Sequence, residues 1–152
     1  MGDQIKTTAE AIEGAALPKA RVVHTVEGAK SPEQDPLPQA VTESNLEDKS
    51  PAEWAYIRLV LYIKNFEEQL DADHEVAMGF TGGEAGVMRI EGMGFYAPDI
   101  LTFYGSDPSG AKTQQIQHVS QLNVLLRALP KHIDQPEPNR IGFRLAKALE
   151  EE

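Results

Sequence analysis

The stretch TQQIQHVSQLNVLLRALP, residues 113–130, decides the fold, because it can be read as one helix or as two strands. Read as a helix, it places five apolar side chains on a single face, namely Ile116, Val119, Leu122, Leu126 and Leu129. Read as extended chain, it forms a strand, a short turn at residues 120–122 and a second strand. The apolar spacing favours the helix. The Asp-Pro-Ser-Gly sequence at residues 107–110 favours a hairpin instead, and the pattern alone leaves both alternatives open.

Upstream of this stretch, residues 50–70 carry the clearest helix signal in the chain. Ser50 is a favourable N-cap, Pro51 occupies the first helical position, and Glu53 follows three residues after the cap. Apolar residues recur at helical spacing at Trp54, Ile57, Leu61, Phe66 and Leu70. The pattern predicts an amphipathic helix of about 18 residues.

Between this helix and the opening stretch, the pattern of apolar residues becomes β-like. HEVAMGFTG (residues 74–82) alternates apolar and other residues and leads into a turn at Gly82-Gly83. GVMRIEGMGFYAPD (residues 86–99) carries glycines inside a strand, which mark a bend or a bulge. ILTFYG (residues 100–105) is a third β-rich run. The order predicts one helix followed by at least three short antiparallel strands.

Composition limits the classes of function. The chain has 152 residues and a formal net charge of −10, which argues against a general polyanion binder, because binding to phosphates needs clustered cations. It has no cysteine, so disulfides, thiolate zinc sites and cysteine nucleophiles are excluded. The N-terminus shows no secretion signal. We therefore expect a cytoplasmic protein that does not act at a membrane.

The chain divides into three regions by composition. Residues 1–50 contain four prolines and no aromatic residue, so we expect a disordered tail that could order on a protein partner. Residues 51–130 form the expected globular α+β domain. Residues 131–152 begin with a proline-broken linker and end in a short helix, expected as a solvated tail.

No sequence motif predicts a nucleotide-binding site or a metal-binding site. GMGFYA (residues 92–97) has the spacing of a dinucleotide-binding loop, but Pro98 follows where a helix should begin. GFTGGEAG (residues 79–86) lacks the lysine and hydroxyl residue of a P-loop. The carboxylates around His74 alternate in direction along an extended chain and cannot converge on a metal. We predict no catalytic residue, no metal ligand and no cofactor.

One histidine is a candidate for binding. His118 lies among amide side chains that can form a hydrogen-bonding edge for a ligand, a base or a neighbouring subunit. The candidate ligand-binding residues are Gln115, Gln117, His118, Gln121 and Tyr104. The competing interpretation is a histidine satisfied by local hydrogen bonds inside a packed element. An enzyme built on Asp99, His118 and Tyr104 is a further alternative, because these side chains are polar or titratable.

Taken together, residues 51–130 resemble the bacterial Sm-like RNA chaperones (Hfq-type). GVMRIEG (residues 86–92) is similar to their glycine-rich second strand, and APDILTFYGS (residues 97–106) to their third. Residues 113–130 are similar to their last two strands, around a histidine motif. Gln117 stands where that motif carries lysine, and the segment after His118 is several residues longer. The chain also resembles an uncharacterised family of small bacterial domains centred on IQHVSQLN.

The Sm-like resemblance implies a helix before five short strands, a ring of subunits joined edge to edge, and RNA contacts near His118. The predicted fold is therefore α+β, with an N-terminal helix on a small bent antiparallel sheet or barrel, Sm-like or SH3-like. The alternative is a helix, a three-stranded meander and a second helix at residues 113–129. The predicted function is a non-catalytic, homo-oligomeric interaction module with RNA as one candidate ligand. A dedicated RNA-binding regulator and an enzyme are the alternatives.

Overall fold

Residues 113–130 form extended chain and not a helix. In the structure, a computed structural model that describes residues 19–44, 46–80 and 86–150, they form two strands separated by a single 3-10 turn at Val119–Gln121. The helices are α1 (Gln39–Glu43), α2 (Pro51–Glu68) and α3 (Ile141–Glu150). The strands are β1 (His74–Phe80), β2 (Val87–Tyr96), β3 (Ile100–Ser106), β4 (Lys112–His118) and β5 (Val124–Pro130). Two further 3-10 turns lie at Pro32–Gln34 and Leu46–Asp48.

The five strands form one antiparallel sheet in the order β4-β3-β2-β1-β5. The predicted α+β fold, with a helix before an antiparallel sheet, is confirmed. The sheet is open, with β4 and β5 at its two edges. The predicted turn at Gly82-Gly83 and residues 1–18 lie outside the described residues.

The alternative with a second helix at residues 113–129 is wrong, and the sheet shows why its apolar spacing misled. Ile116 pairs with Thr102 on the outer face of the sheet and is 62% exposed. Leu126 pairs with Met78 on the inner face and packs against the core. The apolar residues at helical spacing are therefore divided between two faces, because side chains alternate along a strand.

Helix α2 covers the inner face of the sheet. The Ser50 side chain accepts a hydrogen bond from the Glu53 N–H at 3.1 Å, which confirms the predicted cap. The buried positions of α2 are Ala52, Ala55, Ile57, Val60, Ile63 and Glu67. Leu61 and Leu70, two residues of the predicted apolar face, are only half-buried. On the sheet side, Phe103 meets Phe80 edge to face at 5.0 Å between ring centroids.

A bulge interrupts the pairing of β2 with β3 between Ile90 and Gly92. It confirms that a glycine inside this strand marks an irregularity. On β3, a Cβ on Gly105 would come within 2.0 Å of the Arg89 carbonyl oxygen. A glycine at position 105 is what allows the two strands to approach each other here.

The C-terminal segment was expected as a solvated tail, but α3 packs against α2 and buries Ile141, Gly142, Leu145 and Ala146. Glu67 explains this packing. Its buried carboxylate accepts hydrogen bonds from the Gly142 N–H at 2.9 Å and the Phe143 N–H at 3.1 Å, and so caps α3 from another helix. Neither partner is marked by local sequence, because they lie 75 and 76 residues away.

The described part of the N-terminal region, residues 19–44, contacts the outer side of α2. The Asn65 side chain donates to the Lys30 carbonyl at 3.2 Å, and Tyr62 bonds to Glu33. The disorder predicted for residues 1–50 stays a prediction. Among the described residues, no helix is long and apolar enough to cross a membrane.

Candidate functional site

The candidate histidine is the N-cap of the 3-10 turn between β4 and β5. The Ser120 N–H donates to His118 Nδ1 at 3.1 Å, and the Ser120 hydroxyl lies 2.8 Å from the same atom. Because a backbone N–H can only donate, Nδ1 is the acceptor of both bonds, and the ring proton is on Nε2. The Gln121 side chain accepts from the His118 N–H at 3.3 Å and closes a capping box.

Asp99 holds the other side of the ring. Its Oδ2 lies 3.2 Å from His118 Nε2, and its carbonyl accepts from the Val119 N–H at 2.7 Å. The turn between β2 and β3 is thereby tied to the turn between β4 and β5. The turn between β2 and β3 also contacts α2, since the Ala52 N–H donates to the Pro98 carbonyl at 3.0 Å.

Asp99, His118 and Ser120 have the composition of a nucleophilic triad, and acyl transfer also needs a site for the oxyanion. An oxyanion must meet backbone N–H groups that are free to donate. Here the N–H groups of His118, Val119, Ser120 and Leu122 all donate within the turn or to Asp99. These four N–H groups are therefore not free to bind an oxyanion.

The predicted binding residues do not form one surface. His118 and Gln121 come together at the turn and are exposed. Gln117 pairs with Leu101, and Gln115 pairs with Phe103, so both side chains lie on the inner face of the sheet. Alternation along β4 separates them from His118.

Tyr104 is on the outer face but far from His118. It pairs with Gln114, whereas His118 pairs with Ile100. Four residues of strand separate these positions on β3, about 13 Å at the usual rise. Asp99 and His118 of the enzyme alternative therefore meet, but Tyr104 does not join them.

A different aromatic residue lies in the same row of the sheet as the histidine, two strands away. Tyr96 pairs with Ile100, which pairs with His118, so the three form one row across the outer face. Tyr96 is 78% exposed. We call Tyr96, Ile100, His118, Ser120 and Gln121 the His118 surface. Sequence reasoning missed Ser120, although a hydroxyl residue two positions after histidine is a recognisable local capping pattern.

Gln117 is unusual among the buried side chains. It is 8% exposed, and its Oε1 accepts no hydrogen bond from any residue that the structure describes. Buried polar atoms in folded proteins nearly always have a partner. This one lies on β4, at an open edge of the sheet.

The outer face near the two edges also exposes apolar side chains. Ile116 on β4 is 62% exposed and Leu125 on β5 is 42% exposed. Edge strands carry unpaired backbone groups that can pair with another chain. In the described part of the chain, no group of three metal-ligating side chains could hold a metal ion.

These features define a small α+β protein whose sheet ends in the edge strands β4 and β5 and whose His118 lies in an exposed turn. The chain belongs to DUF6173, a family of unknown function, whose model matches residues 45–144. The match includes Glu67, Gly142 and the His118 surface, and it excludes the segment 19–44. No curated protein and no solved structure matches the chain.

Proposed function

We propose that the protein is a non-catalytic interaction module that forms homo-oligomers by pairing β4 of one copy with β5 of the next. The observation that carries the proposal is the unpartnered Gln117 Oε1 on an open edge strand. Because this oxygen is buried within one copy, a neighbouring chain on that edge can supply the donor that it requires only if the Gln117 side chain turns toward the edge on association.

Two apolar side chains support the same contact. If β5 of a second copy extends the sheet at β4, the outer faces of both copies become continuous. Ile116 of one copy then lies near Leu125 of the other, and both lose contact with water.

The two edges differ, so the contact is heterologous. Repeating it produces either a closed ring or an open filament, depending on the rotation between copies. The order of one helix, four strands, a short turn and a last strand is also what the Sm-like resemblance implies, and edge-to-edge rings belong to that resemblance. Each copy would present its His118 surface at the same position of the assembly. Action in the bacterial cytoplasm is part of this proposal.

The solution mass of paired edge variants tests the assembly. Ile116→Lys places a charge on β4, and Leu125→Lys places one on β5. Wild-type protein is expected to be a multimer in multi-angle light scattering, and each variant a monomer. Ile133→Lys is the matched control, because Ile133 is 95% exposed and lies in the linker outside the sheet.

Mixing the two variants gives a sharper result. The Ile116→Lys copy keeps its β5 edge and the Leu125→Lys copy keeps its β4 edge, so a mixture is expected to form dimers that cannot grow. A wild-type monomer at every concentration, or variants that keep the wild-type mass, would refute the assembly.

RNA binding by this module is the second candidate. It is favoured by two exposed tyrosines on the outer face, Tyr96 and Tyr104, since exposed aromatic rings can stack bases. The charge opposes it, because residues 51–131 contain six Lys/Arg and ten Asp/Glu, a difference of −4.

Gel shifts with single-stranded RNA across a salt series decide this second candidate. Binding that weakens with salt and is lost in Tyr96→Ala would support it. No shift at the lowest ionic strength would remove RNA and leave the assembly as the proposed function.

A further inference from the structure

The segment 19–44, which we call the strap, lies over one side of α2 and outside the region that the family model matches. Its short helix α1 contacts α3, and Val41 in that helix is only 5% exposed. Its proline-rich part, residues 32–38, lies beside Leu61 of α2. The strap is therefore an addition to the matched domain that covers part of its helical surface.

The strap packs loosely on α2. Two cavities, of about 550 and 330 Å³, remain between them. Protein interiors otherwise contain few voids larger than a water molecule. By contrast, α3 meets α2 so closely that a Cβ on Gly142 would lie 2.8 Å from the Lys64 backbone nitrogen. The contact of the strap with α2 is thus filled much less completely than the contact of α3 with α2.

Side chains of α2 hold the strap by donating hydrogen bonds to it. Asn65 donates to the Lys30 carbonyl at 3.2 Å, and Gln69 donates to the same carbonyl at 3.5 Å. The Tyr62 hydroxyl donates to the Glu33 carboxylate. The acceptors are a main-chain carbonyl and a carboxylate of the strap, and the strap of a second copy presents the same two groups.

We propose that the strap is exchangeable between copies. It detaches from α2 while the rest of the domain stays folded, and the uncovered face of α2 docks the strap of a second copy. A loosely packed segment opens at a lower free-energy cost than the core. Exchange of identical elements between copies is a low-cost route to association, because it reuses contacts that already exist. The docking does not rest on the proposed edge pairing, since no residue of β4 or β5 lines either cavity.

A peptide of residues 29–44, standing in for the strap of a second copy, tests the docking surface. The receptor is the full chain with Leu37→Asp and Val41→Asp, which displaces its own strap and leaves α2 unchanged. In fluorescence anisotropy, we expect the labelled peptide to bind this receptor with a dissociation constant of about 100 µM or tighter. A peptide that carries the same two substitutions should not bind.

Two further receptors give the comparison. Wild type should bind the peptide at least tenfold more weakly, because its own strap competes at an effective concentration on the order of 1 mM. The matched control carries Val23→Asp and Val26→Asp. These valines are 80% and 72% exposed and line neither cavity, so its strap should stay in place and it should bind as weakly as wild type.

Light scattering on a mixture of two chains tests whether a second copy is the occupant. Both chains carry Ile116→Lys, which blocks the edge pairing, so a failure here is separate from a failure of the proposed function. One chain also carries Leu37→Asp and Val41→Asp and offers only α2, whereas the other carries Leu61→Asp and offers only its strap. Above the dissociation constant of the peptide, each chain alone should be a monomer and the mixture a heterodimer. Monomers in the mixture would overturn exchange between copies.

Two measurements on chains with an intact strap cover the case in which the strap substitutions unfold the receptor. The Asp35 and Val41 N–H groups, which donate within the strap, should exchange with solvent at least a hundredfold faster than the slowest amides of β2. In an equal mixture of carbon-13-labelled and unlabelled Ile116→Lys chains, isotope-filtered spectra should show contacts between Leu37 of one copy and Leu61 of another. Strap amides as slow as those of β2, the absence of contacts between copies, or equal binding of the peptide to the receptor and wild type would each overturn the proposal.

Discussion

Three polar side chains are buried in the described part of the chain, and they divide the molecule into a closed region and an open one. Glu67 and Glu75 lie in the closed region, where each carboxylate accepts hydrogen bonds from the C-terminal segment. Gln117 lies in the open region, on an edge strand, and its amide oxygen has no hydrogen-bond donor in the described part of the chain. The comparison shows that the buried carboxylates of the helical layer have partners within the chain, whereas the buried amide oxygen at the sheet edge has none among the described residues.

The closed region depends on long-range polar contacts. Glu75 accepts from the Asn139 N–H at 2.7 Å and from the Gln135 side chain at 3.1 Å, and it forms an ion pair with Arg89. These contacts fix the linker that leads into α3. Glu67 then caps that helix, so the linker and helix are held at two successive points.

The largest expected effect is at the contact of α3 with α2. A Cβ on Gly142 would lie 2.8 Å from the Lys64 backbone nitrogen and 2.9 Å from its Cα. Because backbone cannot move aside as a flexible side chain does, Gly142→Ala must displace α3. We expect a loss of about 2 kcal/mol in the free energy of unfolding, measured by urea denaturation.

Gly92→Ala is the control for Gly142→Ala. A Cβ on Gly92 would meet the Tyr104 side chain at 3.6 Å, an ordinary contact. Gly92→Ala should change the free energy of unfolding by no more than about 0.5 kcal/mol. Equal stabilities for Gly142→Ala and wild type would show that α3 does not pack closely on α2.

The second prediction concerns the cap that Glu67 provides. Glu67→Ala leaves the Gly142 and Phe143 N–H groups without their acceptor, and we expect a loss of about 2 kcal/mol in the free energy of unfolding. Glu68→Ala serves as control, because the Glu68 side chain is 63% exposed. A Glu67→Ala protein as stable as the control would contradict the capping role.

The two regions also differ in how far the sequence could predict them. The cap at Ser50 and the bulge at Gly92 were predicted correctly, because each has a local cause in the adjacent residues. The stretch 113–130 stayed ambiguous, because its apolar residues fit a helix and only pairing with β3 and β1 settles the question.

The contacts that could not be predicted are non-local. Nothing near Glu67 in the sequence indicates that it caps a helix 75 residues away. At the candidate site, the sequence singled out His118, but the grouping with Gln115 and Gln117 assumed a single surface. The predicted fold already made this segment a strand, and alternation along it separates His118 from Gln115 and Gln117.

The open region is tested by removing the Gln117 amide, whose oxygen has no hydrogen-bond partner among the described residues. If a neighbouring copy donates to Gln117, Gln117→Leu should weaken association about tenfold, or about 1.4 kcal/mol, in sedimentation equilibrium. The unfolding free energy of the separate chain should not fall, since the lost oxygen has no partner among residues 19–44, 46–80 and 86–150. Gln115→Leu, on the same face of β4, should associate as wild type does. Unchanged association in Gln117→Leu would mean that the amide is satisfied in another way.

Within the closed region, a change of pH should alter the contributions of Glu67 and Glu75 to the free energy of unfolding in opposite directions. Burial, the largest cause, raises the pKa of Glu67 above its ordinary 4.5, although the Gly142 and Phe143 N–H groups lower it. Its stabilising contribution is therefore greatest below pH 4.5 and is lost as the pH rises through the folded-state pKa.

Burial raises the pKa of Glu75. The hydrogen bonds from the Asn139 N–H and the Gln135 amide, together with Arg89, outweigh burial, so the pKa is lowered. Its contribution is present above pH 4.5 and is lost as the pH falls through the folded-state pKa. Urea denaturation of wild type, Glu67→Gln and Glu75→Gln at several pH values checks both signs. The wild-type advantage over Glu67→Gln should shrink as the pH rises above 4.5. The wild-type advantage over Glu75→Gln should shrink as the pH falls below 4.5.

The smallest expected effect on stability is at His118, the last residue of β4 and the N-cap of the exposed turn. His118→Ala removes the acceptor of the Ser120 N–H, and we expect a loss of about 0.5–1 kcal/mol in the free energy of unfolding. His118→Asn keeps a side-chain acceptor of the kind that caps helices and should retain most of the stability. If both variants match wild type in stability, the turn does not need its cap. The histidine would then have to be explained by what it contacts outside the chain.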